Sequence, residues 1–250
     1  FARFVIEVNE NPPEKPTILE EVVGVDVGIL KYAHDTDGYA IAAPEFNEER
    51  DRLERAQRDL SRKEHGSKNW EKQRTVVAHR YADLRRKRRD FLHKLSNYYA
   101  TEYDLVAVEN MDVKGLIELP GNSRNRAGAA WGTFLRMLEY KCEREGTHFA
   151  AVDPKDTTKE CASCGAKTDK PLWIRQHSCP SCGFEADRDA NAAWNILSRG
   201  LEELGVVHSE STPVETALPA DTPVSAKRVV ETGSPVPDAQ TAQAESKGEG

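Results

Sequence analysis

Four cysteines stand in two identical steps, Cys161-x2-Cys164 and Cys179-x2-Cys182, with fourteen residues between the pairs. Two such knuckles supply two thiolates each, which is the ligand set and spacing of a tetrahedral zinc site. Disulfides are the main rival, and a redox dithiol would usually need only one Cys-x2-Cys step. In a chain without a secretion signal the doubled knuckle favours metal. Four thiolates close the shell, so this zinc would hold a fold and carry no catalytic water. The fifth cysteine, Cys142, falls on a helical stretch and reads as a small buried apolar residue.

Acids form the second group. Asp26 lies inside the apolar run VVGVDVG, where an ionised carboxylate is costly unless a metal or cation compensates it. Glu109 ends the run LVAVE, and Asp187 and Asp189 open the block ADRDANAAWN. If they converge, such acids could hold two divalent ions about 4 Å apart, activating a water and stabilising the leaving oxygen of a phosphodiester. Each acid also has a structural reading. Asp26 in Gly-x-Asp-x-Gly suits a turn or cap, Asp187 suits a helix N-cap, and Asp189 is a favourable first-turn acid. Spacing alone leaves both readings open.

The elements that must position these groups are legible from periodicity. Glu20 to Asp35 is β-rich, and Tyr39 to Phe46 is extended again after the turn Thr36-Asp37-Gly38, which predicts a hairpin. Asn47 to Arg62 reads as a charged helix capped by Asn47. After a break at His65-Gly66-Ser67, a long helix runs from Lys68 towards Tyr99, with Val76, Val77, Tyr81, Leu84, Phe91, Leu92 and Leu95 on a rough helical period. Asp104 to Glu109 is a short buried strand, and the Gly- and Asn-rich segment Met111 to Ala127 reads as a loop. Trp131 to Glu145 is an amphipathic helix with Trp131, Phe134, Leu135, Leu138 and Cys142 on one face. Gly146 stops it before the strand His148 to Val152. The knuckles span Thr158 to Glu185, and Arg188 to Leu204 is a helix with Ala192, Ala193, Ile196, Leu197 and Leu201 inward. The order is that of an α/β core with an inserted knuckle. Val206 to Gly250, rich in Pro, Thr, Ser, Ala, Glu and Gly, reads as a disordered tail.

A chain of 250 residues has room for one large domain, or one domain with a small insertion. Its longest apolar stretches fall far short of the ~20 residues that span a bilayer, which argues against an integral membrane protein. No signal peptide is recognisable, so a cytoplasmic location is expected; Phe1 already lies in strand-like alternation, which suggests a piece of something longer. The net charge is −7, yet Arg50 to Lys94 holds sixteen basic residues against seven acidic ones. A mildly acidic chain with one strongly basic stretch suggests a local polyanion contact. Within it, Arg85, Arg86, Lys87, Arg88 and Arg89 cover every face of a helix, so some must meet solvent or phosphate. The alternative is a solvated helix paired with Asp83 and Asp90. Arg124, Arg126 and Trp131 are weaker candidates, while Trp173 and Arg175 would either touch a strand or pack the knuckle segment.

Several blocks, in order, resemble one family: GVDVG (Gly24 to Gly28), VAVENM (Val106 to Met111), WGTFLRMLEYKCEREG (Trp131 to Gly146), VDPKDTTKECASCG (Val152 to Gly165) and CPSCGFEADRDANAAWNIL (Cys179 to Leu197). The chain looks like the C-terminal part of a TnpB-type protein. These belong to the OrfB class of insertion-sequence transposase-associated nucleases, related to the RuvC halves of type V CRISPR effectors. The resemblance implies an RNase H-like (RuvC) mixed sheet with helices. Residues 20–157 would form its first part and 186–205 its closing helix, with a four-cysteine zinc ribbon inserted at 158–185. It makes Asp26, Glu109 and Asp189 a triad for Mg²⁺ or Mn²⁺, with Asp187 as a capping neighbour. Cys161, Cys164, Cys179 and Cys182 become the zinc ligands. Thr157-Thr158-Lys159-Glu160 departs mildly from the family's usual Thr-Ser pattern.

The implied partners are DNA and a guide RNA, and the implied activity is RNA-guided DNA cleavage for a mobile element. Phe1 to Val8, within residues 1–19, looks like the last strand of a wedge β-barrel whose remainder, with the recognition domain, is missing. The competing hypothesis is a zinc-ribbon module that grips nucleic acid without cutting it. Junction resolution by a dimer shares the fold but lacks a visible dimerisation signal.

Overall fold

The computed structural model describes residues 11–118, 129–171 and 173–205. The β-rich run around Asp26 divides at Gly28 into two antiparallel strands, β1 (Val22–Val27) and β2 (Lys31–Asp35). The Gly28 amide closes the turn on the Tyr32 carbonyl at 3.1 Å. β2 continues through the expected turn into β3 (Ala40–Ala42), its antiparallel neighbour. Two helices follow, α1 (Asn47–Ser61) and α2 (Lys68–Glu102). The chain then re-enters the sheet as β4 (Leu105–Glu109), parallel to β1. After α3 (Val113–Glu118) and α4 (Trp131–Glu145), β5 (His148–Val152) pairs parallel with β4. The spatial order is β3-β2-β1-β4-β5. A separate two-stranded ribbon, β6 (Gln176–Ser178) and β7 (Glu185–Asp187), leads into α5 (Arg188–Glu203).

Side-chain alternation on β1 and β4 assigns the two faces of this mixed α/β sheet. Val23, Val25 and Val27, with Val106 and Val108, pack against Leu92, Leu95 and Tyr99 of α2 and Phe134, Leu138 and Cys142 of α4. The opposite face packs Leu105, Ala107, Ala150 and Val152 against Ile196, Leu197 and Leu201 of α5. Two glycines allow that contact to be close. A Cβ on Gly24 would stand 2.1 Å from the Ala193 carbonyl oxygen, and one on Gly200 would stand 2.6 Å from the Ala107 Cβ. Gly24→Ala is therefore expected to push α5 off the sheet and to destabilise the fold by about 1–3 kcal/mol. Urea unfolding reads this as a lower midpoint, and an unchanged midpoint would show that α5 can shift without cost.

Asp35 carries a second consequence of burial. It lies under α2, accepting from the Tyr39 amide at 2.8 Å and from the Tyr99 hydroxyl at 3.1 Å. Burial outweighs both donors and pushes its carboxyl up to about 7. A folded value above the unfolded one of roughly 3.9 means that the native state is favoured below that value. This contribution is lost as pH rises through about 7. Asp35→Asn keeps an acceptor for Tyr39 and never ionises. Its stability relative to the parent is expected to rise between pH 4 and 8, by on the order of 2–4 kcal/mol. Parallel thermal melts across that range check it; a constant difference between the two chains would contradict it.

Several expectations are corrected. Asn47 is the first residue of α1; Phe46 holds the cap position and makes no side-chain cap bond. Val76 and Tyr81 are 40% and 51% exposed. The first half of α2 packs chiefly on α1, through Phe46, Leu53, Leu84 and Val77, so only its second half has a buried face of full width. The expected loop after Met111 contains α3, entered through an Asp112 carboxylate that accepts from the Gly115 amide at 3.0 Å. Asp187 does cap α5, accepting from the Asp189 amide at 2.8 Å. The closing strand at Phe1 to Val8 and the tail 206–250 lie outside the described residues. No helix among the described residues is long and apolar enough to cross a membrane.

Candidate active site and cysteine knuckles

The parallel register between β1 and β4 runs from Val22↔Leu105 to Val25↔Val108. Asp26 and Glu109 are the next step of that register, side by side on strands spaced about 4.8 Å apart. Alternation turns both towards α5, the face on which Gly24 and Ala107 meet that helix. The second residue of α5 is Asp189. Acids from two strands and a helix start therefore share one space.

Electrostatics record the crowding. The Asp26 carboxyl is pushed well up, first by burial and then by the charges of Glu109, Asp189 and Asp187, against the opposing charge of Arg188. Burial also raises Glu109; a Thr157 hydroxyl donating to its Oε1 at 2.5 Å and the charge of Arg199 oppose the shift. Cations reach Asp189 from two sides. Arg175 Nη1 lies 3.2 Å from each of its oxygens, and Arg188 Nη2 lies 3.0 Å from Oδ1. Lys31 pairs with Asp187 at 3.7 Å. The hard carboxylate set, short of positive charge at Asp26, fits a divalent cation such as Mg²⁺ or Mn²⁺. The acids ring their space loosely: among the described residues, only the cysteines bring a full set of ligand atoms within 4.8 Å of one another.

Each knuckle is a tight turn closed by a glycine. Gly165 donates to the Cys161 carbonyl at 2.8 Å and Gly183 to the Cys179 carbonyl at 2.9 Å, with φ of 72° and 78° that favour glycine. The sulfurs approach to 3.7 Å (Cys161–Cys182) and 3.6 Å (Cys164–Cys179). A tetrahedron with Zn–S bonds of ~2.3 Å has edges of ~3.8 Å, so the cysteines fit zinc. The Cys182 and Ser181 amides hold the Cys179 thiol down while burial pushes the Cys161 thiol up, so the four sulfurs do not ionise alike without a metal.

The link between knuckles and acids was missed in the sequence. Asn191 and Asn195 are buried on α5, four residues apart among apolar neighbours. Asn191 accepts from the Ala162 amide at 3.0 Å and donates to the Glu160 carbonyl at 2.7 Å. Asn195 donates to the Thr157 and Glu160 carbonyls, both at 2.8 Å. Arg199 binds the Asp153 and Lys155 carbonyls and the Glu160 carboxylate. The available signal was two amides on an apolar stripe, which burial obliges to find partners.

The basic run lies on α2, and three of its five side chains are engaged by neighbours on the protein. Arg86 pairs with Asp83 at 2.8 Å, Lys87 with Glu49, and Arg89 donates to His93 at 3.2 Å. Arg88 is half-buried near Tyr32 and Arg50, while Arg85 is exposed. Of the two acids expected to pair with the run, Asp83 does so and Asp90 pairs with Lys94 at 3.0 Å. Arg124 and Arg126 lie outside the described residues.

Two family models match this chain. One, OrfB_IS605, described as a probable transposase, matches residues 3–119; the other, the TNB domain of Cas12f1-like proteins, matches residues 131–196. Together they place the chain among transposase-family proteins. A protein of Streptomyces pristinaespiralis whose name is that of an RNA-guided DNA endonuclease is 41% identical over 182 residues, which is 72% of this chain and 45% of that protein. Its counterpart InsQ of Escherichia coli K12 is 32% identical over 197 residues, 72% of this chain and 49% of that one. The chain belongs to the TnpB family, related to type V effectors. It spans about half the length of the curated relatives it matches. The fold is similar to that of Cas12f1 in an sgRNA–target DNA complex, with a TM-score of 0.52 and 19% identity, covering 77% of this chain and 51% of that one.

Proposed function

We propose that this chain is the DNA-cutting part of a TnpB-type endonuclease, guided by RNA in its full-length form, with an RNase H-like (RuvC) sheet and a four-cysteine zinc ribbon. The observation that carries the reading is the register that sets Asp26 beside Glu109 under the first turn of α5, where Asp189 stands. The divalent ions would supply a nucleophilic water at neutral pH and charge for the leaving oxygen.

The chain's own groups do the rest. Asp26 and Glu109, fixed on adjacent strands, would hold the ions together with Asp189, and the Thr157 hydroxyl holds Glu109 in place. Arg188 and Arg175 balance the acids and lie where a scissile phosphate would need cations. Relatives named as RNA-guided DNA endonucleases support DNA and guide RNA as partners, and the family resemblance, which implies a RuvC cleft taking one strand at a time, favours single-stranded DNA. The run Arg85, Arg86, Lys87, Arg88 and Arg89 would then contribute phosphate contacts, with exposed Arg85 the freest to do so. Cleavage of a labelled single strand in Mg²⁺, with Asp26 and Glu109 replaced in turn, tests the reading. Undiminished cutting by both variants would remove these two acids from the chemistry, and no cutting by the parent chain would leave a ribbon that only binds.

A further inference from the structure

We propose that Trp173 is a stacking platform for a base of the single strand presented to the acid pocket; this rests on the nuclease reading and names how that site holds its substrate. The sequence leaves Trp173 open between packing the ribbon and touching a strand. At 81% exposure it does not pack the ribbon, and Ile174 beside it is 41% exposed. Leaving so large a ring in water forgoes the burial that usually accounts for tryptophan in a small zinc module.

The backbone beside the ring is held by hydrogen bonds. The Ile174 amide donates to the Pro171 carbonyl at 3.1 Å, closing a turn with Trp173 at its corner. Two residues on, Arg175 is fixed twice: its carbonyl accepts from the Arg188 amide at 2.6 Å, and its guanidinium rests on both Asp189 oxygens. The Trp173 Cα therefore stands within about 8 Å of chain from that of Arg175, whose side chain touches the pocket. The surrounding segment, Ala166 to Arg175, carries Lys167, Lys170 and Arg175 against Asp169 alone, which suits a polyanion. An exposed aromatic ring beside cations is the arrangement that grips single strands without reading their sequence, because every base has a face to stack.

The test is equilibrium binding of the 250-residue chain to a fluorescein-labelled oligothymidine, and to an abasic strand of equal length and charge, without divalent cations. Trp173→Ala is expected to weaken oligothymidine binding by on the order of tenfold and to leave abasic binding unchanged. Trp173→Phe should restore most of the loss. A parent chain that does not distinguish the two strands, or a Trp173→Ala chain that binds oligothymidine as the parent does, overturns the platform. No bond is cut in this assay, so its result is separate from that of the carboxylate variants, which test hydrolysis alone.

Discussion

Asp189→Asn is expected to abolish cutting of single-stranded DNA in Mg²⁺, while Asp187→Asn, two residues away, leaves most of it. The contrast isolates metal binding from helix capping. Asp187 caps α5 through an oxygen that accepts the Asp189 amide, and an Asn oxygen caps about as well. Asp189 has no capping duty; its oxygens meet only the guanidinium groups of Arg175 and Arg188 among the described contacts. Removing a group that merely supports a metal ligand typically costs about 10–100-fold, so losing a ligating charge should cost at least ~10³-fold. Asp26→Asn and Glu109→Gln should behave like Asp189→Asn, with unfolding midpoints near or above the parent's, because neutralisation relieves the burial that raises both carboxyls and, at Asp26, the charges of the neighbouring acids. Single-turnover cleavage with parallel urea melts separates the effects. Equal cutting by Asp187→Asn and Asp189→Asn would remove Asp189 from the chemistry.

Cys161→Ser is expected to lower bound zinc from about one equivalent to a small fraction and to abolish cutting with all three carboxylates in place. The reason is the wiring between the two sites. Ala162, next to Cys161, donates to Asn191 on α5, and Glu160 on its other side accepts from both asparagines. Three residues earlier, Thr157 holds Glu109, and Arg175 from the second half of the insertion holds Asp189. A ribbon that loses its metal releases contacts to two of the three acids. Cys142→Ser is the control, since Cys142 sits on α4 in the core of the sheet face opposite α5; it should cost some stability and no zinc. Metal analysis with hydrogen exchange across 158–185 reads both variants. Full zinc content in Cys161→Ser would refute the four-thiolate site.

The elements were largely readable because their signals are local. Strand alternation around Asp26, the helical period from Trp131 to Glu145 and the two Cys-x2-Cys turns each lie within a few residues, and the structure has them at nearly the expected bounds. The failures were also local in origin. The short helix Val113–Glu118 sits in a Gly- and Asn-rich stretch whose composition hides it. Val76 and Tyr81 keep the helical period of α2 but fall where α2 has left the sheet, so the period there covers a small satellite core.

By itself the chain's order of residues offered four thiolates by spacing and four acids, Asp26, Glu109, Asp187 and Asp189, as candidate metal ligands, and only the family resemblance singled out three of the acids. Only the tertiary structure decided that Asp26 and Glu109 are neighbours, because a parallel register joins residues eighty-three positions apart that no local pattern couples. It also decided that Arg86 and Lys87 of the basic run pair with acids of the protein itself, and that Thr157, Asn191, Asn195 and Arg175 tie the ribbon to the carboxylates. Hydrogen bonds are set by distances of about 3 Å between side chains from remote segments, and such distances exist only once the sheet and α5 have closed on one another.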